Sequence, residues 1–312
     1  MNKKTADLTN IFLMPASLAL AVILPFELFL ISYAVLGPLH YTTEISWLDK
    51  KDYFLDSFAK KIFLPIAVLI TAAAIFTKDL HLTSLLIFLS FSVAVILMSF
   101  SSWWSRLNAF ALALFIGLVI GKVSFYAIIF GILLTTIIHV WLFTGLFILS
   151  GAKKDRSRLG YFSFLVFILC SLSTSIIPIS NYEISDKAFL ILSEDGFLLN
   201  KTLLEILNIP FASQDLISSQ AALKIQTFIA FAYTYHYLNW FSKVEIIKWH
   251  KVSKTSLAIS LTIWIAALSL YAYDYRLGAS ALLFLSILHV LLEFPLNFLS
   301  VKILLKKSSI PA

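Results

Sequence analysis

Long apolar runs separated by short polar stretches dominate the chain. Nine hydrophobic segments stand out, at roughly 11–37, 62–77, 83–101, 106–122, 124–150, 159–177, 223–241, 255–274 and 279–301. A bilayer core is crossed by about 20 residues of α-helix, and several of these runs approach or exceed that length. A helix satisfies its backbone hydrogen bonds internally, as lipid demands. The pattern therefore predicts an all-α, polytopic transmembrane helical bundle of eight to nine segments, a single integral membrane domain over residues 1–312. The count turns on the first run, which contains Pro25. As one span it puts the N-terminus outside. As a re-entrant hairpin bent at Pro25 it leaves the N-terminus inside and eight spans.

Residues 178–222 break the pattern and form an extramembrane insert between the sixth and seventh segments. Within it "KAFLILSEDGFLLNKTLLEILNIP" alternates apolar and polar groups and is interrupted by Gly196 and Pro210. That alternation predicts a short hairpin or strand pair, then a short surface helix. Asn200 and Thr202 match a glycosylation sequon, a triplet common by chance.

Composition sharpens the class. The chain is 60% hydrophobic and only 13% charged, with a mean hydropathy of +0.92. The net charge of +7 comes largely from loops: "GAKKDRSR" at 151–158, "SKVEIIKWHKVSK" at 242–254 and the tail "KILLKK" at 302–307. Basic loops mark the cytoplasmic face. The expected location is the plasma (inner) membrane with the C-terminus in the cytoplasm. No ordered basic-aromatic module is present, so nucleic acid is not an expected partner, and no particular partner protein is specified. The N-terminal stretch reads as retained. The single cysteine, Cys170, lies in an apolar run and reads as a packed small residue.

Candidate chemistry lies in the histidines, because ionisable groups within membrane spans are costly and tend to be functional. His139 and His289 each lie about a dozen residues from a basic cluster, roughly 18 Å of helix, and His236 about seven residues, roughly 10 Å. His40 follows the first run. If that run places it on the cytoplasmic side, four imidazoles from four helices reach one level. Glu44 and Glu293 each stand four residues after a histidine, so His40/Glu44 and His289/Glu293 each share a helix face. Neutral imidazole ligates iron, copper or zinc, and a carboxylate either ligates or orients an imidazole. The candidate metal ligands are thus His40, His139, His236 and His289, with Glu44 and Glu293 as catalytic or supporting acids. Thr135, Tyr233, Tyr235, Tyr237, Asn239 and Asn297 are candidate hydrogen-bonding neighbours. His81 and His250 read as interfacial, His250 with Trp240 and Trp249 as headgroup anchors and as a possible extra ligand.

The stretches "GPLHYTTE" (37–44) and "YTYHYLNW" (233–240) resemble the membrane β-carotene-cleaving dioxygenases of the bacteriorhodopsin-related type. That family carries a Gly-x-Pro-His-x-x-x-Asp motif after its first helix and further histidines in later helices. Here Glu44 replaces the aspartate, Leu39 separates proline from histidine, and Trp240 stands where the family has a second histidine. The resemblance implies a non-haem iron centre, O₂ and a lipidic or isoprenoid substrate, with His40 and His236 as ligands and Glu44 as an orienting acid. The expected function is a membrane-embedded, iron-dependent oxidoreductase, other divalent metals being open. Alternatives are a proton-coupled transporter, since histidine and glutamate in spans relay protons, and a non-catalytic subunit of a membrane complex. No desaturase-type paired-histidine box, nucleotide loop, serine elbow or zincin motif occurs.

Overall fold

The computed structural model describes residues 3–77, 79–180, 182–193, 197–213, 215–243 and 253–306. Every α-helix or other regular element among them is helical. The chain opens with α1 (Lys3–Ile23), α2 (Pro25–Ile31), a π-helical turn at Ser32–Leu36 and α3 (Gly37–Lys50). Then come α4 (Ser57–Phe76), α5 (Leu80–Ser99), α6 (Trp103–Ile120) and α7 (Ser124–Ile128). Two π-helical stretches, Ile129–Leu133 and Ile138–Phe143, lead into α8 (Thr144–Asp155). α9 (Arg158–Ile176) precedes the insert helices α10 (Asp186–Leu192), α11 (Leu198–Ile206) and α12 (Asp215–Ser218). α13 (Gln220–Phe241), α14 (Lys254–Tyr273) and α15 (Tyr275–Leu305) follow. Among the described residues, seven helices are long and apolar enough to cross a membrane, or eight with the bent pair Ser124–Leu133 and Ile138–Asp155.

These helices form two compact units. Unit one comprises 1–40 and 158–281, unit two 41–157 and 282–312. The division falls inside α3, between His40 and Tyr41, and inside α15.

Unit one is built around α13, most of whose side chains are buried. α1 lays Ala6, Asn10, Met14, Ser17 and Ala21 inward, a spacing of three and four that puts them on one helix face. Asn10 bonds Ser242 at 3.0 Å and receives the Tyr235 hydroxyl at 3.1 Å, both toward the C-terminal end of α13. Gln226, near the opposite end, donates to the Pro25 carbonyl at 2.9 Å. Ser32 then meets Thr234 at 2.8 Å, and His40 meets His236 at 3.1 Å. The chain therefore runs down α13, reverses at Leu24–Pro25 and runs back. The first apolar run is thus two antiparallel helical limbs and not one span, and α1 alone, with 21 residues, covers about 30 Å. Leu24 leaves helical geometry (φ −134°, ψ 61°) ahead of Pro25, as a residue before proline does.

The insert folds as helices, and its described residues contain no strand pair. Ser185 caps α10 by accepting from the Ala188 amide, and Ala188 and Leu192, four apart, pack with Phe26, Leu30, Ile179 and Leu223. The four-residue spacing and the cap prevail over the alternating pattern. Glu27 of α2 secures the insert, accepting from the Tyr182 hydroxyl at 2.7 Å and the Ser185 amide at 2.9 Å. Asn200 is buried, which does not suit a sequon acceptor. Gly196 lies outside the described residues.

In unit two, α4 buries Ala59, Phe63, Ala67, Thr71 and Ala74, and α5 buries Ser84, Ile87, Ser90, Ala94 and Leu97. Small residues on such faces let apolar helices approach closely, which is how helices associate in lipid. Gly117 of α6 is one such point: a Cβ there would come within 2.6 Å of Leu85 Cδ1. Lys153, after the basic turn of α8, donates to the Leu304 and Lys306 carbonyls at 2.6 and 2.8 Å and caps the C-terminus of α15.

Candidate metal centre

Each unit holds one buried histidine pair. In unit one, π-helical winding precedes His40. Such turns carry one residue more than regular helix and occur often at functional sites. The turn is held from two sides, by the Ser32–Thr234 hydroxyl contact and by Trp264, whose indole donates to the Val35 carbonyl at 2.8 Å. Beyond it His40 Nε2 stands 3.1 Å from His236 Nε2, the rings edge to face. Tyr237 and Trp240 lie one turn apart on α13 and pack their rings on His40, at 5.2 and 5.5 Å. Trp240, expected as a headgroup anchor, is thus a wall of this pair.

In unit two, His139 lies in the π-helical stretch Ile138–Phe143, directly after a 60° bend. Thr135 and Thr136 donate to the Ile132 carbonyl at 3.2 and 2.6 Å, and such back-bonding bends helices. Thr135 therefore serves the bend and not the imidazole. His139 Nε2 lies 3.2 Å from His289 Nε2. On its other side, His139 Nδ1 lies 3.1 Å from Glu293 Oε2, an ion-pair distance without hydrogen-bond alignment. Glu293 also accepts weakly from Asn297 at 3.4 Å. Tyr41 stacks on His289 at 4.3 Å. A ligand oxygen of Glu44 and a ring nitrogen of His289 lie within 4.8 Å of each other.

The pair distances fit ligation. Metal–nitrogen bonds of ~2.0–2.1 Å set two adjacent ligand nitrogens roughly 2.9 Å apart at right angles and roughly 3.4 Å apart at the tetrahedral angle. Both observed separations, 3.1 and 3.2 Å, fall in that interval. The Leu285 carbonyl, 3.3 Å from His289 Nδ1, favours the proton there and leaves Nε2 as a lone pair.

Each pair, His40 with His236 and His139 with His289, presents two buried ring nitrogens that could hold a metal ion. All four candidate histidines and both glutamates are at most 5% exposed. His81 stays apart, its Nδ1 2.7 Å from the Gly121 carbonyl in an exposed turn. His250 and Trp249 lie outside the described residues. Tyr235 serves Asn10, and the side-chain oxygen of Asn239 is buried without a partner. Tyr41 and Trp264 escaped sequence reasoning. Adjacency to His40 was the only signal for Tyr41, and nothing local marks Trp264.

Compared with family models, with curated proteins and with solved structures, the chain matches none of them.

Proposed function

We propose that this chain is a membrane-embedded metalloenzyme, an iron-dependent oxidoreductase that uses O₂ on a lipidic or isoprenoid substrate. The observation that carries the reading is the facing of ring nitrogens at ligand spacing, 3.1 Å for His40–His236 and 3.2 Å for His139–His289. Each facing pair would supply two ligand nitrogens to an ion. Iron so held supplies O₂ binding and electron transfer. The protein's own share is positioning. Glu293 orients His139, and the Leu285 carbonyl orients His289. Tyr41, Tyr237 and Trp240 wall the rings and exclude water. The resemblance of "GPLHYTTE" and "YTYHYLNW" to the carotene-cleaving enzymes supports the same reading. Metal analysis of protein purified in detergent tests it: stoichiometric iron is expected. Protein that neither contains nor takes up iron, copper or zinc overturns it.

A second reading, proton-coupled transport, rests on the buried Glu293 carboxyl 3.1 Å from His139 Nδ1. Proton-driven flux in metal-free proteoliposomes would favour it over the first.

We also infer ten membrane crossings. The reversal at Leu24–Pro25 supports a returning limb over Pro25–Lys50, and this limb and α13 join the eight helices already counted. Lys3, Lys4, Lys50, Lys51, Lys60, Lys61, Lys153 and Lys302 then share one side, the cytoplasm by the positive-inside rule. Fluorescent-protein fusions at the N-terminus and the C-terminus should both light up in the cytoplasm. A dark N-terminal fusion, with the chain intact, refutes the scheme.

A further inference from the structure

Among the described residues, α6 of unit two is the least buried of the helices long and apolar enough to cross a membrane. Gly117 is its one buried position there and packs it on α5, where an added Cβ would meet Leu85 and Phe88. Asn108 is exposed. It stands nine residues before Gly117, half a turn round the helix at about 100° per residue, and so looks away from α5. Trp104, Phe115 and Leu118, 74%, 63% and 53% exposed, share its face with Ala111. Steps of four, three, four and three residues separate positions 104, 108, 111, 115 and 118. That alternation is the seam by which one helix packs on another.

The amide is what gives this face a partner. Asn108 lies five residues after Trp103, roughly 8 Å along a helix of about 27 Å. A side chain that short cannot reach the membrane surface as lysine or arginine does. Neighbouring polar groups are engaged within the chain. Arg106 donates from Nε to the Phe100 carbonyl at 2.7 Å and approaches Asp56 at 3.9 Å. The exposed Ser173 and Ser269 fold back on carbonyls four residues earlier, and Asn10 does the same with Ala6. The Asn108 amide has no hydrogen-bond partner among the described residues. Turned to hydrocarbon alone, such a group is costly. An amide complements its own kind, because the positive NH₂ pole of one donates to the negative oxygen pole of the other. The face carries no charged residue, so a second copy meets it without repulsion. A two-fold axis brings the same residue of both copies together, and one along the membrane normal keeps both α6 helices parallel. A single amide on a heptad seam then fixes register and pairing.

We propose that the outer face of α6 is the interface between two copies of this chain, with the Asn108 amide of each copy hydrogen-bonded to that of the other. Trp104, Ala111, Phe115 and Leu118 pack above and below this contact. No residue of the metal centre takes part, so the inference stands apart from the metal reading.

The test uses the full chain, labelled at its C-terminus with donor or acceptor fluorophores and reconstituted in phosphatidylcholine vesicles. Energy transfer should fall on dilution with lipid as a monomer–dimer equilibrium requires. Asn108→Leu should weaken the dimer about tenfold, the effect of one interhelical hydrogen bond, and Asn108→Gln, which keeps an amide, should recover most of the loss. Cross-linking locates the face. With Cys170→Ser as background, Ala111→Cys should give a disulfide-linked dimer on mild oxidation, and Ala113→Cys, on the flank nearer α5, should not. Wild type that stays monomeric at every lipid ratio overturns the proposal and leaves the face to lipid. Equal association of wild type and Asn108→Leu overturns it too, as does equal cross-linking from Ala113→Cys.

Discussion

Replacing His236 by alanine is expected to leave the protein with under about a tenth of the wild-type metal content after desalting. Loss of an outer-sphere partner alone lowers metal affinity by ~10–100-fold, so loss of a ligand should do at least as much. His236 supplies one of two nitrogens at 3.1 Å, and no other imidazole in its unit stands beside His40 among the described residues. His289→Ala should behave alike, because it removes the partner of His139 at 3.2 Å. Glu293→Gln should weaken retention less, since it disturbs only the orientation of His139. His81→Ala is the internal control, its ring engaged with the Gly121 carbonyl in an exposed turn. Wild-type metal content in both His236→Ala and His289→Ala, with unchanged melting temperatures, would remove the metal centre from the reading of this chain.

The second large effect concerns packing. Phe294→Ala should destabilise the protein by about 3–5 kcal/mol, the range for emptying a fully buried aromatic site. Phe294 is 0% exposed and meets Phe91 edge-on at 5.1 Å, in the core of unit two. It also adjoins Glu293, so the cavity should loosen the carboxylate that orients His139. Leu305→Ala, at a side chain 78% exposed, should change stability by under about 0.5 kcal/mol. Chemical denaturation in mixed micelles distinguishes them. A difference below about 1 kcal/mol between the two variants would contradict the packing described here.

Much of this was legible in the sequence. The helical membrane class follows from apolar runs that only helices satisfy in lipid. The four histidines and two glutamates stood out because ionisable side chains are rare within such runs, and the four-residue spacings gave correct helix faces. What the sequence hid was long-range or punctuated weakly. The run 11–37 reads as one span or as a hairpin bent at Pro25, and the choice is fixed by distant partners, Gln226 and Thr234. The insert reads as strands because alternation and helical spacing coexist there, and the Ser185 cap together with burial of Ala188 and Leu192 decides. Tyr41 and Trp264 look like ordinary membrane aromatics until their partners are known.

The π-helical turn at Ser32–Leu36 has a consequence for how such a site tolerates change. It inserts one residue relative to regular winding, and each residue of helix corresponds to about 100° of rotation. Forcing the same residues into regular α winding would swing His40 away from His236 by about that angle without altering any side chain that touches it. The direction in which this imidazole looks is therefore a matter of arithmetic in the preceding backbone, and small insertions or deletions upstream can silence the site as fully as losing the ring itself.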